Sequence, residues 1–253
     1  MAAETHGLPA GAPALMRPAM DAKPPILVFD LDGTLADTAG DLIATLNAIL
    51  TGESLPPVPL AHARKLIGAG AKALIQRGFA AEGRDLSPDK LDRLYAAFIQ
   101  RYEDHVADET RLFPGVEAAL DRFAAAGYAF AVCTNKLERS SLLLLEALGV
   151  KSRFRAICGQ DTFKIAKPDR RIFDATVDRA GGDPATAIMI GDSATDIETA
   201  RAARAPVVAV DFGYTDLPIE NFGPDRVISH FDQLWDAVAA LRPAAGEANP
   251  PPP

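Results

Sequence analysis

The chain has 253 residues, enough for one large domain or for a medium-sized domain that carries a smaller inserted one. Acidic residues outnumber basic ones by 34 to 26, the net charge is −8, and the chain contains no lysine- and arginine-rich run, so nucleic acid is a poor candidate partner. No segment approaches the roughly 20 apolar residues of a membrane helix, and two cysteines in short apolar runs indicate a reduced, cytoplasmic protein.

The two ends of the chain are predicted to be flexible extensions. Residues 1–23 are rich in alanine, proline and glycine, and carry Glu4 and His6 where a signal peptide needs positive charge. Residues 244–253 close in a short proline run without flanking basic residues, so they do not resemble a polyproline ligand.

Short apolar runs alternate with longer amphipathic stretches, which is typical of buried parallel strands joined by helices. Helical spacing follows Pro114, Arg139, Pro168 and Asp232. The sequence therefore predicts an α/β fold with a doubly wound, Rossmann-like parallel sheet. The predicted strands are Ile26 to Phe29, Ala129 to Cys133, Ala156 to Cys158, Ala187 to Ile190, Val207 to Val210 and, more weakly, Val227 and Ile228.

The stretch between the first and second predicted strands is far longer than a helical crossover needs. Residues 40–108 show apolar residues at helix-like spacing and contain no convincing strand. We therefore predict an inserted α-helical cap domain over 40–108, and a sheet core built from 24–39 and 109–243.

Acidic side chains follow two of the predicted strands. Asp30 and Asp32 come directly after the first strand, and Asp192 and Asp196 follow the fourth. Parallel α/β folds bind their ligands at the carboxyl ends of strands. Carboxylates gathered in a partly buried site repel one another unless a cation or a proton intervenes, and hard oxygen ligands of this kind select Mg²⁺. Each pair alone is equally consistent with a helix cap or a strand-end turn.

The remaining strand ends supply donors and a cation. Thr134 and Asn135 follow the second strand and offer a hydroxyl and an amide that can donate to phosphate oxygens. Lys167 precedes Pro168, which favours an extended backbone there, and its ammonium can balance carboxylates or a phosphoryl group. Taken singly, these residues also fit helix caps and a solvated surface lysine; their joint occurrence in this order favours a site for phosphoryl transfer.

Four motifs together resemble those of the haloacid dehalogenase-like hydrolase superfamily: Asp-x-Asp-Gly-Thr from Asp30, Thr134-Asn135, Lys167-Pro168, and Gly-Asp-Ser-x-x-Asp from Gly191. The resemblance covers the chain from Pro25 to about Asp236, and the predicted helical insertion resembles that family's type-one cap. Within the superfamily the sequence is most similar to phosphoglycolate phosphatases.

The resemblance implies a role for each residue. Asp30 is the expected nucleophile, forming an aspartyl-phosphate, and Asp32 the expected general acid and base. Thr134, Asn135 and Lys167 are expected to hold the phosphoryl group, while Asp30, Asp192 and the main-chain carbonyl of Asp32 bind Mg²⁺. Asp196 is expected to orient Lys167 or a metal-bound water. Because the dehalogenase branch lacks an acid at the position of Asp32, the resemblance argues against dehalogenation.

Two positions depart from the family pattern. Asp169 and Arg170 replace a small residue or histidine and a proline after Lys167-Pro168, which affects only the start of a helix. Arg204 stands where relatives often have glycine, and it would cost roughly 1 kcal/mol if the backbone there is left-handed.

The substrate is expected to be a small phosphorylated acid such as 2-phosphoglycolate, chosen by the cap. Backbone N–H groups around Gly68 and Gly70 are candidates to bind its carboxylate, with Arg64 and Lys72 adding positive charge. The alternatives are a sugar-phosphate or nucleotide phosphatase, a sugar phosphomutase, and a non-catalytic phosphoryl-binding module. The sequence does not distinguish a monomer from a homodimer.

Overall fold

Six strands form one parallel sheet at the centre of the protein. The computed structural model describes residues 23–60, 66–68, 70–215 and 217–241, so the predicted extensions 1–23 and 244–253 lie, apart from Lys23, outside the described residues. The strand order is β5-β4-β1-β6-β7-β8, and every neighbouring pair is parallel. The strands are β1 (Ile26–Phe29), β4 (Ala129–Cys133), β5 (Ala156–Cys158), β6 (Ile188–Gly191), β7 (Val207–Val210) and β8 (Arg226–Ile228).

The sheet is covered by helices on both faces, which explains why its strands are apolar throughout. Along β1, Leu27 and Phe29 belong to one apolar cluster, while Ile26 and Val28 belong to a second cluster on the opposite face. The first cluster is closed by α4 (Val116–Ala125), α5 (Glu138–Ala147) and α8 (Leu234–Leu241). The second is closed by α6 (Arg170–Arg179) and α7 (Ala194–Ala203). The predicted doubly wound α/β fold is confirmed.

Helix α7 is the one helix of the described sheet core whose apolar spacing the sequence did not reveal. Its buried face consists of Ile197, Thr199 and Ala200 together with the acid Asp196, so few large apolar residues mark it. The helix instead begins with a capping box, in which Ser193 accepts from the backbone of Asp196 and the Asp196 carboxylate accepts from the backbone of Ser193.

The segment between β1 and β4 contributes three described helices, α1 (Ala39–Gly52), α2 (Ala71–Ala81) and α3 (Pro88–Asp104). They pack on one another around a third apolar cluster that includes Leu46, Ile75, Phe79, Phe98 and Tyr102. This is the helical cap of the predicted fold class; its exact limits at 40 and 108 stay a prediction. None of the described helices is both long and apolar enough to span a membrane.

The two linkers between cap and core are joined by a ribbon that the sequence did not predict. Strand β2 (Ala36–Asp37) pairs antiparallel with β3 (Arg111–Leu112). Beside the ribbon, the buried Asp41 carboxylate accepts hydrogen bonds from the backbone N–H groups of Glu109 and Thr110 and from the Thr110 hydroxyl. Both linkers are therefore fastened to each other where they leave the sheet.

Candidate active site

The carboxyl ends of β1, β4 and β6 meet under the cap and enclose a cavity of about 60 Å³. Because about 10–15 Å³ suffices for one water molecule, this space is large enough for a few water molecules. The predicted site residues that line it are Asp30, Asp32, Thr134, Asn135, Lys167, Asp192, Gly68 and Gly70.

Asp30 and Lys167 form a buried ion pair at the base of the cavity. Lys167 Nζ lies 2.9 Å from Asp30 Oδ1 and 2.5 Å from Asp196 Oδ1, and the lysine side chain is 2% exposed. Burial would lower the pKa of Lys167, but Asp196 and Asp30 raise it above its ordinary value, so the ammonium is charged. One lysine thus serves two carboxylates.

Asp196 is held in place by the start of α7. Its Oδ2 accepts hydrogen bonds from the backbone N–H of Ser193 at 3.1 Å and from the Ser193 hydroxyl at 2.6 Å. Its Oδ1 accepts from Lys167. Both oxygens of this fully buried carboxylate are therefore engaged by the protein, in the arrangement expected of a residue that orients Lys167.

Asp192 lies at the end of β6, and both of its carboxylate oxygens are also bound. The Thr34 hydroxyl donates to Oδ1 at 2.9 Å, and the backbone N–H of Tyr214 donates to Oδ2 at 2.8 Å. Burial raises the pKa of Asp192 well above its usual range, and the nearby Asp196 and Asp30 carboxylates raise it further. The protein therefore holds the Asp192 side chain in place with two donors that carry no formal charge.

Like Asp192, Asp30 is a buried carboxylate close to other carboxylates. Burial raises its pKa to about 6, Lys167 lowers it, and the Asp196 and Asp32 carboxylates raise it. Its Oδ1 atom is buried and, although it is ion-paired with Lys167, makes no contact with hydrogen-bond geometry to any described residue. A cation beside Asp30 and Asp192 would satisfy this oxygen and offset the charge.

The same three acids offer a geometry that can hold a metal ion. Oxygen atoms of Asp30, Asp192 and Asp196 all lie within 4.8 Å of one another. Asp30 and Asp192 line the cavity, whereas Asp196 does not and is paired with the Lys167 ammonium, so Asp30 and Asp192 are the better ligands. Hard, all-oxygen donors of this kind fit Mg²⁺.

Two glycines allow the loops to approach Asp192 closely. Gly33 has φ +85°, and a Cβ atom there would lie 2.3 Å from Asp192 Oδ2. A Cβ atom at Gly213 would lie 2.2 Å from Asp192 Cβ. Neither position has room for a side chain, so the Asp-x-Asp-Gly-Thr loop and the loop after β7 both require glycine.

Thr134 and Asn135 use their side chains differently. Thr134 is buried at the end of β4 and lines the cavity, its backbone N–H donates to the carbonyl of Cys158, and its hydroxyl oxygen accepts from the backbone N–H of Lys136 at 3.2 Å. The Asn135 side chain instead makes two hydrogen bonds with the backbone of Lys167, accepting from its N–H at 2.8 Å and donating to its carbonyl at 3.2 Å. The Asn135 amide therefore positions Lys167.

Lys136 is a cavity residue to which the sequence analysis gave no role. Its Nζ lies 2.9 Å from Asp32 Oδ1 and 3.1 Å from Oδ2, and 4.2 Å from the centre of the Tyr102 ring in α3. Burial would lower the pKa of Lys136, but Asp32 and Tyr102 raise it, so it too is charged. Its place directly after Thr134-Asn135, in the loop that follows the strand paired with β1, was a usable signal.

The cap side of the cavity is mostly apolar. Gly68 and Gly70 line it, and Gly70 is the residue before α2. Lys72 does not line it: its ammonium is half exposed and pairs with Asp92 at 2.6 Å. Arg64, also predicted to contact the substrate, lies outside the described residues.

Comparisons with known proteins identify the family of this chain. The sequence model of the haloacid dehalogenase-like hydrolases matches residues 27–210. A phosphoglycolate phosphatase from Mesorhizobium japonicum is 51% identical over 215 residues, covering 85% of this chain and 95% of that protein. One from Caulobacter vibrioides is 46% identical and covers 85% and 91%.

A solved structure, described as a predicted phosphoglycolate phosphatase from Haemophilus somnus, superposes with a TM-score of 0.78 at 29% identity. The match covers 84% of this chain and 96% of that one. The chain belongs to the haloacid dehalogenase-like hydrolase family, as a phosphoric monoester hydrolase similar to the phosphoglycolate phosphatases within it.

Proposed function

We propose that the protein is a Mg²⁺-dependent phosphatase that hydrolyses a small phosphorylated acid, 2-phosphoglycolate, through an aspartyl-phosphate on Asp30. The observation that carries this proposal is the convergence of Asp30, Asp192 and Lys167 in one small, covered cavity at the strand ends. A cytoplasmic setting, where thiols stay reduced, fits the free, buried side chains of Cys133 and Cys158.

The metal ligands in this proposal are Asp30, Asp192 and the main-chain carbonyl of Asp32. Mg²⁺ bound there would offset the negative charge that gathers on the transferring phosphoryl group. The charge of Lys167, held by Asp196 and by the backbone contacts of Asn135, acts on the same group from the protein side. The Thr134 hydroxyl donates to a phosphoryl oxygen.

The reaction then proceeds in two steps. In the first, Asp32 enters in its protonated form, an oxygen of Asp30 forms a bond to phosphorus, the bond to the leaving alkoxide oxygen breaks, and Asp32 gives that oxygen its proton. In the second, Asp32 takes a proton from a water molecule that attacks phosphorus, and the bond to Asp30 breaks. The products are an alcohol and inorganic phosphate, and both acids return to their starting states.

The proposed substrate rests on three observations. The relatives with the highest identity described above carry the name phosphoglycolate phosphatase. The cavity accommodates a short leaving group in this closed arrangement. Helix α2 begins at the cavity after Gly70 and has no side-chain cap, so its first N–H groups are available to an anion.

A substrate panel tests the proposal. Phosphate release with Mg²⁺ is measured on 2-phosphoglycolate, a hexose phosphate, a nucleoside monophosphate and phosphoserine, and the kcat/KM values are compared. We expect 2-phosphoglycolate to exceed the others by about tenfold or more, since a cavity of this size and charge discriminates at the transition state. If the sugar phosphate or the nucleotide has clearly the highest kcat/KM, that compound replaces 2-phosphoglycolate as the proposed substrate. Formation of an isomerised sugar phosphate would indicate a mutase.

A further inference from the structure

The ammonium of Lys136 is available to a ligand inside the cavity. Its side chain is 7% exposed, it lines the cavity, and among the described residues Asp32 is its hydrogen-bond partner. An ammonium has three N–H donors, so Asp32 does not exhaust them. The other lysine in the cavity lining, Lys167, is already shared between two carboxylates.

Tyr102 supplies a second donor beside Lys136. The residue is 1% exposed and lines the cavity, and its ring is stacked with that of Phe98 at 6.4 Å between centres. Its buried hydroxyl makes no contact of full hydrogen-bond geometry with a described residue, although the Lys136 ammonium lies close enough to interact with it. A buried hydroxyl that donates to no acceptor is unfavourable, so an anion that accepts a hydrogen bond from it is stabilised.

The start of α2 lies next to the same corner. A Cβ atom built on Gly70 would be 3.5 Å from the carbonyl oxygen of Asn135, the residue before Lys136. The first residues of this 11-residue helix therefore lie close to the loop that carries Lys136, and Ala71 and Lys136 line the same cavity. The Lys136 ammonium, the Tyr102 hydroxyl and the start of α2 thus lie together, although they come from three separate segments of the chain.

We propose that Lys136, together with the Tyr102 hydroxyl and the first N–H groups of α2, binds the carboxylate of the leaving group and makes Lys136 the specificity-determining residue. This inference rests on the proposed phosphatase function. The phosphoryl group lies at Asp30 and Lys167, and the carboxylate reaches across the cavity to Lys136. Lys136 then bridges the substrate and Asp32.

Two substrates of the same shape separate this role from others. The acid is 2-phosphoglycolate, and its neutral counterpart is the carboxamide, phosphoglycolamide. For wild-type enzyme we expect kcat/KM to favour the acid by about tenfold or more, because an ammonium pairs with a carboxylate and not with an amide. In Lys136→Met, we expect the ratio to fall close to one, mainly through a higher KM for the acid.

A merely structural role of Lys136 gives a different result. If Lys136 only positions Asp32, both substrates lose the same factor and the acid-to-amide ratio stays at its wild-type value, which overturns the proposal. Lys136→Arg keeps the charge and is expected to restore most of the ratio. Tyr102→Phe keeps the ring and removes the hydroxyl; we expect it to lower the acid-to-amide ratio a few-fold, mainly through a higher KM for the acid.

The cap residue Arg64 provides the decisive comparison. If Arg64→Gln abolishes the preference for the acid while Lys136→Met retains it, the carboxylate is bound by the cap and the inference is wrong. The failure of the proposed function is recognised separately: wild-type enzyme then shows no preference for the acid over the amide, or releases no phosphate from either.

Discussion

The two walls of the cavity are built in different ways. The core wall carries charged and polar groups from the ends of neighbouring strands, and these side chains are bound to one another or to the backbone. The cap wall is largely apolar and comes from helices with their own apolar cluster. The difference indicates that sheet topology brings the charged groups of the site together, while the cap helices supply its apolar enclosure.

The largest effect is expected at the core wall. Asp30→Asn removes the nucleophile with little change in shape, and we expect kcat to fall by at least about 10⁴-fold. Phosphate release under saturating substrate measures it. Asp178→Asn makes the same change on the exposed face of α6 and is expected to have no effect. Substantial turnover by Asp30→Asn would exclude the aspartyl-phosphate.

The second prediction concerns the proposed metal ligands in the core wall. Asp192→Asn replaces a charged ligand by a neutral amide, and we expect the Mg²⁺ concentration for half-maximal activity to rise about tenfold or more. A second readout does not depend on turnover: we expect Mg²⁺ to raise the thermal stability of the wild-type protein, because a ligand that binds the native state stabilises it, and to raise that of the variant much less. An equal thermal response of both proteins would remove Asp192 from the ligand set.

A smaller effect, on stability and not on activity, is expected in the linkers between the cap and the core. The Tyr214 hydroxyl accepts hydrogen bonds from the backbone N–H groups of Thr38 and Ala39 and donates to Asp37. Tyr214→Phe leaves the buried N–H groups without this acceptor, and we expect the free energy of unfolding to fall by about 1–3 kcal/mol.

Chemical denaturation measures this change. Tyr95→Phe is the matched control: it removes the same hydroxyl, but the Tyr95 hydroxyl makes no hydrogen bond with a described residue. Equal stability of the two variants would show that the Tyr214 hydroxyl contributes nothing to fastening the linker.

The smallest effect is a gain. Arg204 follows the last residue of α7 with φ 58° and ψ 29°. This is the left-handed conformation for which the sequence analysis expected a steric cost. Arg204→Gly removes a steric cost of about 1 kcal/mol and is expected to raise Tm by about 2–4 °C without changing kcat. Arg204→Ala keeps a Cβ atom there and is expected to give no comparable gain; calorimetry on the three proteins decides the point.

The core wall could be predicted from the sequence because its residues follow directly after buried strands. Once Asp30, Thr134 and Asp192 are assigned to strand ends, a parallel sheet brings them together without further information. The position of Lys167 followed in the same way from Pro168. What the sequence did not reveal is that the Asn135 amide is engaged by the backbone of Lys167.

The cap wall could be predicted only in outline. Helix-like spacing identified the cap helices, but nothing local to Tyr102 shows that its ring will lie over Lys136. That contact depends on how α3 docks on the end of β4, which is a tertiary property. The ribbon of β2 and β3 escaped prediction because strands of two residues leave no periodic pattern.

The fastening of the two linkers has a mechanical consequence. Linkers joined by Asp41 restrict the directions in which the cap could move over the sheet more than two separate linkers would. A rotation about the joined linkers would separate Tyr102 from Lys136 and, together with it, Glu103 from Ser140 and Arg139. Opening of the cavity would then require these contacts to break together.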